Sequence, residues 1–172
     1  MPVKKKIANA KTKITTIEME LAIAEFFDIR KNIIVPNISW GLSGMHECDI
    51  FIIKKSRYAI EIEIKISKSD LLADFKKKHN HVDNRIKEFY YAIPIDLLEA
   101  CENHIPEHVG IIVCERNGRY NSITTRIHRE TTANKNCRKL NEKEVLKVAV
   151  LGTMRIFKLK ERILNLTKMK IK

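Results

Sequence analysis

Between Tyr58 and Ile66 the chain reads Tyr-Ala-Ile-Glu-Ile-Glu-Ile-Lys-Ile, an alternation of apolar and charged residues. On an extended strand successive side chains point to opposite faces. Ile60, Ile62, Ile64 and Ile66 therefore share one face, and Glu61, Glu63 and Lys65 share the other. Alone, such a strand could be only a solvated ladder of charges. The segment before it adds chemistry. Cys48 to Ile53 is a second strand-like run, joined to the first by the polar turn Lys54-Lys55-Ser56-Arg57. A three-residue loop at Lys55-Ser56-Arg57 pairs Lys54 with Tyr58, which sets Asp49 opposite Glu63 and Glu47 opposite Lys65. Directly opposed side chains have Cβ atoms about 4.5–5.5 Å apart. A slip of one residue would undo the arrangement.

Two carboxylates placed in this way repel each other unless a cation lies between them. Mg²⁺ (or Mn²⁺) suits the position, because hard divalent cations prefer oxygen ligands and Mg²⁺ keeps several of its waters. Such an ion polarises phosphoryl oxygens and generates a nucleophile at neutral pH. Lys65, two residues beyond Glu63 on the same face, can orient or help deprotonate the attacking water, or stabilise charge on a phosphate.

A further acid is expected from the first helix, about 16–28, opened by a capping box in which Thr15 caps and Glu18 reaches back. On a helical wheel Ile17, Met19, Leu21, Ile23, Ala24 and Phe27 cover most of the circumference. Glu18 and Glu25 fall in the polar gap, as cap and solvated acid. Glu20 falls among the apolar residues, where a carboxylate is costly unless partnered. Perturbed acids of this kind cluster at functional sites, and Glu20 is the chosen candidate.

These residues need a scaffold. Ile33-Ile34-Val35 and Ile38 suggest a first strand, broken or bent at Pro36. After the hairpin, Ser67 or Ser69 caps a helix running through Leu71, Leu72 and Phe75 to about His79. A fourth strand reads Phe89 to Ile93, a short helix spans about 95–102, and a fifth strand covers Val109 to Cys114. The turn Asn117-Gly118 starts a more polar, extended segment. Apolar residues from Val145 to Ile163, set among lysines, mark a long basic amphipathic helix at about 141–168. The order is that of an α/β domain with a mixed sheet flanked by helices. Residues 1–14 read as a basic flexible arm, and 15–172 as one domain.

Composition narrows the function classes. A chain of 172 residues suits one domain, and no run approaches the roughly 18 apolar residues of a membrane span. The N-terminus lacks the apolar core of a signal peptide, so a cytoplasmic location and no membrane partner are expected. Lys and Arg number 33 against 21 Asp and Glu, an excess that attracts polyanions, nucleic acid first among them. The four cysteines, Cys48, Cys101, Cys114 and Cys137, contain no C-x-x-C pair, which excludes a zinc ribbon and a secreted disulfide framework. His79-Asn80-His81 lacks a wider ββα ligand pattern, and His46, His104 and His108 read as loop histidines. Trp40 is either a loop anchor or a base-stacking residue.

Asp49 followed fourteen positions later by Glu63-Ile64-Lys65 on a strand resembles the D…(D/E)-x-K signature of the PD-(D/E)xK nucleases, which include restriction endonucleases and archaeal Holliday-junction resolvases. The resolvases also place an acid on the inward side of the first helix, as Glu20 would be. A narrower likeness runs from Glu63 to Lys76, where E-I-K, a serine and a D-x-x-x-D-x-K helix are similar to the MmcB-like DNA-repair proteins. Phe89 to Pro94 and Ile105-Pro106 with Gly110 to Val113 match later blocks, so the likeness covers about residues 15–115. It implies a restriction-endonuclease-like fold, a DNA substrate rather than RNA, the Ile64 carbonyl as a further metal ligand, and roles near the site for Asp70, Asp74 and Lys76. The D-x-x-x-D pair, Asp70 and Asp74, also suits a helix start for dipole reasons alone. The family often has an arginine shortly before the aspartate, where this chain has His46-Glu47-Cys48, and Lys77 stands where an aromatic is common.

The expectation is a Mg²⁺-dependent DNA endonuclease acting in repair or recombination, with Asp49, Glu63, Ile64 and Glu20 at the metal and Lys65 serving catalysis. A non-catalytic DNA- or RNA-binding module on the same fold, and a phage-defence or restriction nuclease, stay open beside it. A homodimer would suit the cutting of two strands, although no sequence feature identifies an interface.

Overall fold

The computed structural model describes residues 13–38, 47–76, 83–118 and 120–170. Its order is α1 (Thr16–Phe26), β1 (Ile33–Ile38), β2 (Cys48–Ile53), β3 (Ala59–Ile64), α2 (Lys68–Asp74), β4 (Ile86–Pro94), α3 (Leu98–Cys101, flanked by short 3-10 turns), β5 (Gly110–Asn117), β6 (Ser122–Arg129) and α4 (Glu142–Lys170). The six strands form one mixed sheet in the order β1-β2-β3-β4-β5-β6. β2 is antiparallel to both β1 and β3; β3, β4 and β5 run parallel, and β6 returns antiparallel to β5. The expected α/β architecture with a mixed sheet, flanking helices and a long C-terminal helix is what the chain adopts.

The β2–β3 hairpin follows from its turn. Lys54 N–H donates to Tyr58 O at 3.0 Å, Arg57 N–H donates to Lys54 O at 2.8 Å, and Arg57 takes a left-handed φ of 67°. This closes Lys55-Ser56-Arg57 as a three-residue loop, a common hairpin class that ends in a left-handed residue. The resulting register pairs Ile53 with Ala59, Ile52 with Ile60, Phe51 with Glu61 and Ile50 with Ile62. It is the register expected from the sequence. The ladder stops at Ile50–Ile62, short of the expected Glu47–Lys65 pair, and Glu47 is exposed whereas Lys65 is buried. Pro36 does not break β1, which runs on to Ile38, because β1 pairs only with β2 and a missing donor is tolerated at a sheet edge.

Both faces of the sheet are covered. On one, Ile50, Ile52, Ile60, Ile62 and Ile64 pack against Met19 and Ile23 of α1. On the other, Phe51, Ile53 and Val35 meet Leu140 and Val148 beside α4. Leu71 of α2 and Cys101 of α3 cover Tyr91, Ile93, Ile111 and Val113 on that same side. Gly152 lets α4 lie close, since a Cβ there would sit 3.1 Å from Val35 Cγ2. Beyond Arg155 the helix continues with Ile156, Phe157, Leu159, Ile163, Leu164 and Leu166 all exposed.

The apolar residues that ring α1 on the helical wheel are not equally covered. Met19 and Ile23 are fully buried, while Ile17 and Leu21 are 67% and 68% exposed. The helix rests on the sheet along one i,i+4 stripe, and no second layer covers its outer side among the described residues. Accordingly, Ile23→Ala is expected to cost about 3 kcal/mol and Leu21→Ala less than about 0.5 kcal/mol in urea denaturation. Equal losses at the two positions would contradict this account of the helix.

Candidate functional site

The hairpin and the first parallel crossover converge on one end of β3. Carried one residue past Ile50–Ile62, the β2–β3 register brings Asp49 opposite Glu63. On the other side, β4 pairs Glu63 with Tyr91, and Lys65 N–H donates to Ala92 O at 2.9 Å. Asp49 is anchored by its Oδ2, which accepts from Ile64 N–H at 2.8 Å. The carboxylate of one strand is therefore fastened to the backbone of its neighbour, directly beside the second carboxylate.

Glu63 is 4% exposed and Lys65 also 4%. Lys65 Nζ donates to Glu63 Oε2 at 2.9 Å and to Asp74 Oδ1 at 3.2 Å, and Tyr91 O–H donates to Asp74 Oδ2 at 2.8 Å. The other Glu63 oxygen, Oε1, is buried with no hydrogen-bond partner among the described residues. A buried carboxylate oxygen without a partner is costly. Burial, and then the charge of Asp49, push the Glu63 carboxyl above its ordinary range, with Lys65 opposing them. For Lys65, burial acts to lower the value, but Glu63 and Asp74 outweigh it and hold the ammonium above its usual range. Held between two carboxylates, the Lys65 ammonium is placed to donate hydrogen bonds and to stabilise negative charge. Tyr91 is pushed up beyond the ordinary phenol range by burial and by its bond to Asp74.

Glu20 is half-buried on α1, and its Oε1 accepts from Asn37 Nδ2 at 3.4 Å. Its carboxyl is raised, chiefly by burial and also by the charge of Asp49, with the Asn37 hydrogen bond opposing. Asp49 is therefore the common neighbour of Glu63 and Glu20. Glu18 does something else. It completes the capping box with Thr15 (2.8 Å) and takes the Arg116 guanidinium on both oxygens at 2.7 and 2.8 Å. The Thr15 backbone N–H and Arg116 hold it down at about 2. Of Glu18 and Glu20, Glu20 is the one within the field of the cluster.

Asp74 was expected only through resemblance, and the fold brings it to Lys65. Asp70, on α2, and Lys76, just beyond its end, are exposed, and Asp70 N–H completes the Ser67 cap at 3.1 Å. Two participants escaped the sequence reading. Tyr91 belonged to an apolar strand, and only the parallel register sets it beside Glu63. Glu61 was placed on the charged face without a role, yet it is fully buried between Phe51 and Phe89 in the ladder. Trp40, His46, Lys77 and the His79-Asn80-His81 tripeptide lie outside the described residues. His104 and His108 are exposed, and all four cysteines are free.

Among the described residues no group of three His, Cys, Asp or Glu side chains stands close enough to hold an ion. The donor set at Asp49 and Glu63 still fits a hard cation in kind: two opposed carboxylates, one with an unpartnered buried oxygen, and a nearby backbone. Mg²⁺ commonly needs only one or two protein carboxylates.

No family model matches the chain, and no curated protein matches it. Among solved structures, the chain is similar to the SPO1766 protein of unknown function from Silicibacter pomeroyi, with a TM-score of 0.60 and 16% identity over 82% of this chain and 88% of that one. A likeness at that identity establishes a shared fold. No helix among the described residues is long and apolar enough to cross a membrane.

The electrostatics lead to a pH-dependent prediction. Glu63, raised in the fold, favours folding at pH values below its unfolded 4.5, and that contribution is lost as pH rises through the folded value. Asp49→Asn keeps an oxygen for Ile64 N–H and removes one cause of the shift. In urea denaturation with chelator, the variant should gain about 1 kcal/mol over wild type at pH 8, and the gain should vanish near pH 4. A loss at pH 8 would show that the two carboxylates do not repel.

Proposed function

We propose that this chain is a divalent-metal-dependent DNA endonuclease with a restriction-endonuclease-like core, working at Asp49, Glu63 and Lys65. The observation that carries the reading is the buried Glu63 oxygen left without a hydrogen bond, facing a second acid across the hairpin and flanked by a lysine held as a cation. An apolar core gains nothing from such a group. A metal-dependent phosphodiester hydrolase can use one to hold its ion.

Asp49 and Glu63 would hold the ion. The PD-(D/E)xK resemblance adds the Ile64 carbonyl, and Glu20 completes the acid cluster by adding to the negative field around Asp49. A bound divalent ion supplies polarisation of the phosphoryl oxygens and a nucleophile at neutral pH. An ammonium has three N–H donors; Glu63 and Asp74 take two, and the third serves a phosphate oxygen or the attacking water. Asp74, itself fixed by Tyr91, keeps the Lys65 side chain from swinging away. Exposed Lys158, Lys160, Arg162 and Lys168 on α4 supply phosphate contacts that position DNA without reading its sequence. Repair, recombination and phage defence would all draw on this one reaction.

Incubation of plasmid and branched DNA with Mg²⁺ tests the reading. Wild type should cleave, chelator should stop it, and Lys65→Ala should lower the rate by at least about a hundredfold, the usual cost of losing a group that stabilises developing charge. Glu20→Gln should cost about tenfold, as a group acting through charge at a distance. Tight DNA binding with no cleavage under any of these conditions would instead identify a binding module on the same fold.

A further inference from the structure

We propose that a cavity beside the Glu63–Lys65–Asp74 cluster receives one unpaired base of the bound strand, so that DNA with unpaired nucleotides, and not intact duplex, is the substrate class. The inference rests on the nuclease reading for its biological sense and on the cavity for its content.

The cavity has a volume of about 650 Å³ and opens between α2, β4 and the segment after β6. Ligand sites span roughly 300–1,000 Å³, so it is large enough for a nucleoside and far too small for a base pair with its backbone. Its inner wall is aromatic. Phe75 and Phe89 stand edge-on to Tyr91, with ring centroids 5.8 and 5.0 Å away and interplanar angles of 86° and 69°. Planar rings are held by such walls through stacking and edge contacts. Thr132 and Asn134 supply polar atoms toward the mouth.

Charge argues for a base inside and phosphate outside. The acids lining the cavity each have a cation: Asp74 has Lys65, Asp83 has Arg85, and Glu88 has Lys54 at 2.8 Å. An anionic strand is therefore not turned away. Among the described residues Lys87 is the one Lys or Arg in the lining, and its Nζ already reaches Asn134 O at 3.4 Å and lies 5.0 Å from the centre of the Tyr58 ring. Among the described lining residues no free cation cradles a phosphate as a free mononucleotide would require. The anion's place is at Lys65, one side chain away, because Asp74 both lines the cavity and bonds Lys65 Nζ, and Tyr91 both lines it and bonds Asp74. A phosphate engaged by Lys65 would leave the neighbouring base beside the cavity wall formed by Asp74 and Tyr91. A base inside a duplex reaches such a pocket only by leaving its stack, which costs least where it is already unpaired.

Ala133 is exposed at the mouth, so Ala133→Trp fills the opening without disturbing the core. Binding is measured by fluorescence anisotropy in chelator with a labelled single strand, a flapped duplex and a blunt duplex. Wild type should favour the first two by about tenfold or more. Ala133→Trp should lose about tenfold on both, within the range for one stacked base, and should leave blunt-duplex binding unchanged; Ala133→Ser should match wild type throughout. Equal affinities for all three DNAs, or a tryptophan variant that binds single strands as wild type does, would overturn the proposal. So would deoxyadenosine monophosphate competing as well as the strand. If Ala133→Trp does not fold, Thr132→Trp at the adjacent exposed position carries the same test. Cleavage with Mg²⁺ separates the two readings: base-dependent binding without cleavage defeats the nuclease and leaves the cavity, and cleavage indifferent to both tryptophan and DNA form defeats the cavity and leaves the nuclease.

Discussion

The structure turns on the burial of one carboxylate beside another. Glu63 stands against Asp49 with an oxygen unbonded, restrained by an ammonium that is itself divided between two acids. A sheet core built for stability alone would place valine or leucine at these positions, since breaking or half-satisfying a buried ionic group costs several kcal/mol, and apolar replacements are often neutral or better. The rest of the fold can be understood as the apparatus that holds this unfavourable cluster together. Isoleucines dominate the opposite face of the same strands, and the cores against α1 and α4 supply the free energy that the cluster withholds.

Three separate devices set the geometry. A three-residue turn fixes the β2–β3 register, and with it the meeting of the two acids. The parallel β3–β4 pairing brings Tyr91 alongside Glu63 and, through Asp74, ties Lys65 to α2. Asn37, which takes a positive φ of 52° near the end of β1, holds Glu20 on α1 within the field of Asp49. Local turn chemistry, sheet pairing and a helix contact each contribute one element of the site.

Much of this was legible in the chain because strand alternation and hairpin turns are local. Glu63 and Lys65 share a face by period two, and the loop Lys55-Ser56-Arg57 sets their partner strand without any knowledge of the rest. Glu20 was separable from Glu18 by its place on the helical wheel. The parts that escaped depend on contacts distant in sequence. Tyr91 looks like any aromatic in an apolar strand until the parallel register is known. Asp74 could not be told from Asp70, because both favour a helix start, and only the direction in which α2 leaves the sheet buries one and exposes the other. The exposure of Ile17 and Leu21 also escaped, because a helical wheel reports apolarity, not whether a second layer exists to cover it.

Manganese soaked into a crystal of the protein tests the central claim most directly. Its anomalous scattering marks the ion without reliance on activity or on any variant. The account predicts a single strong peak between the carboxylates of Asp49 and Glu63, within about 2.0–2.2 Å of an oxygen of each, as six-coordinate hard cations require. A fully loaded crystal with no peak there, or with Glu63 Oε1 turned instead to a protein donor, would contradict it.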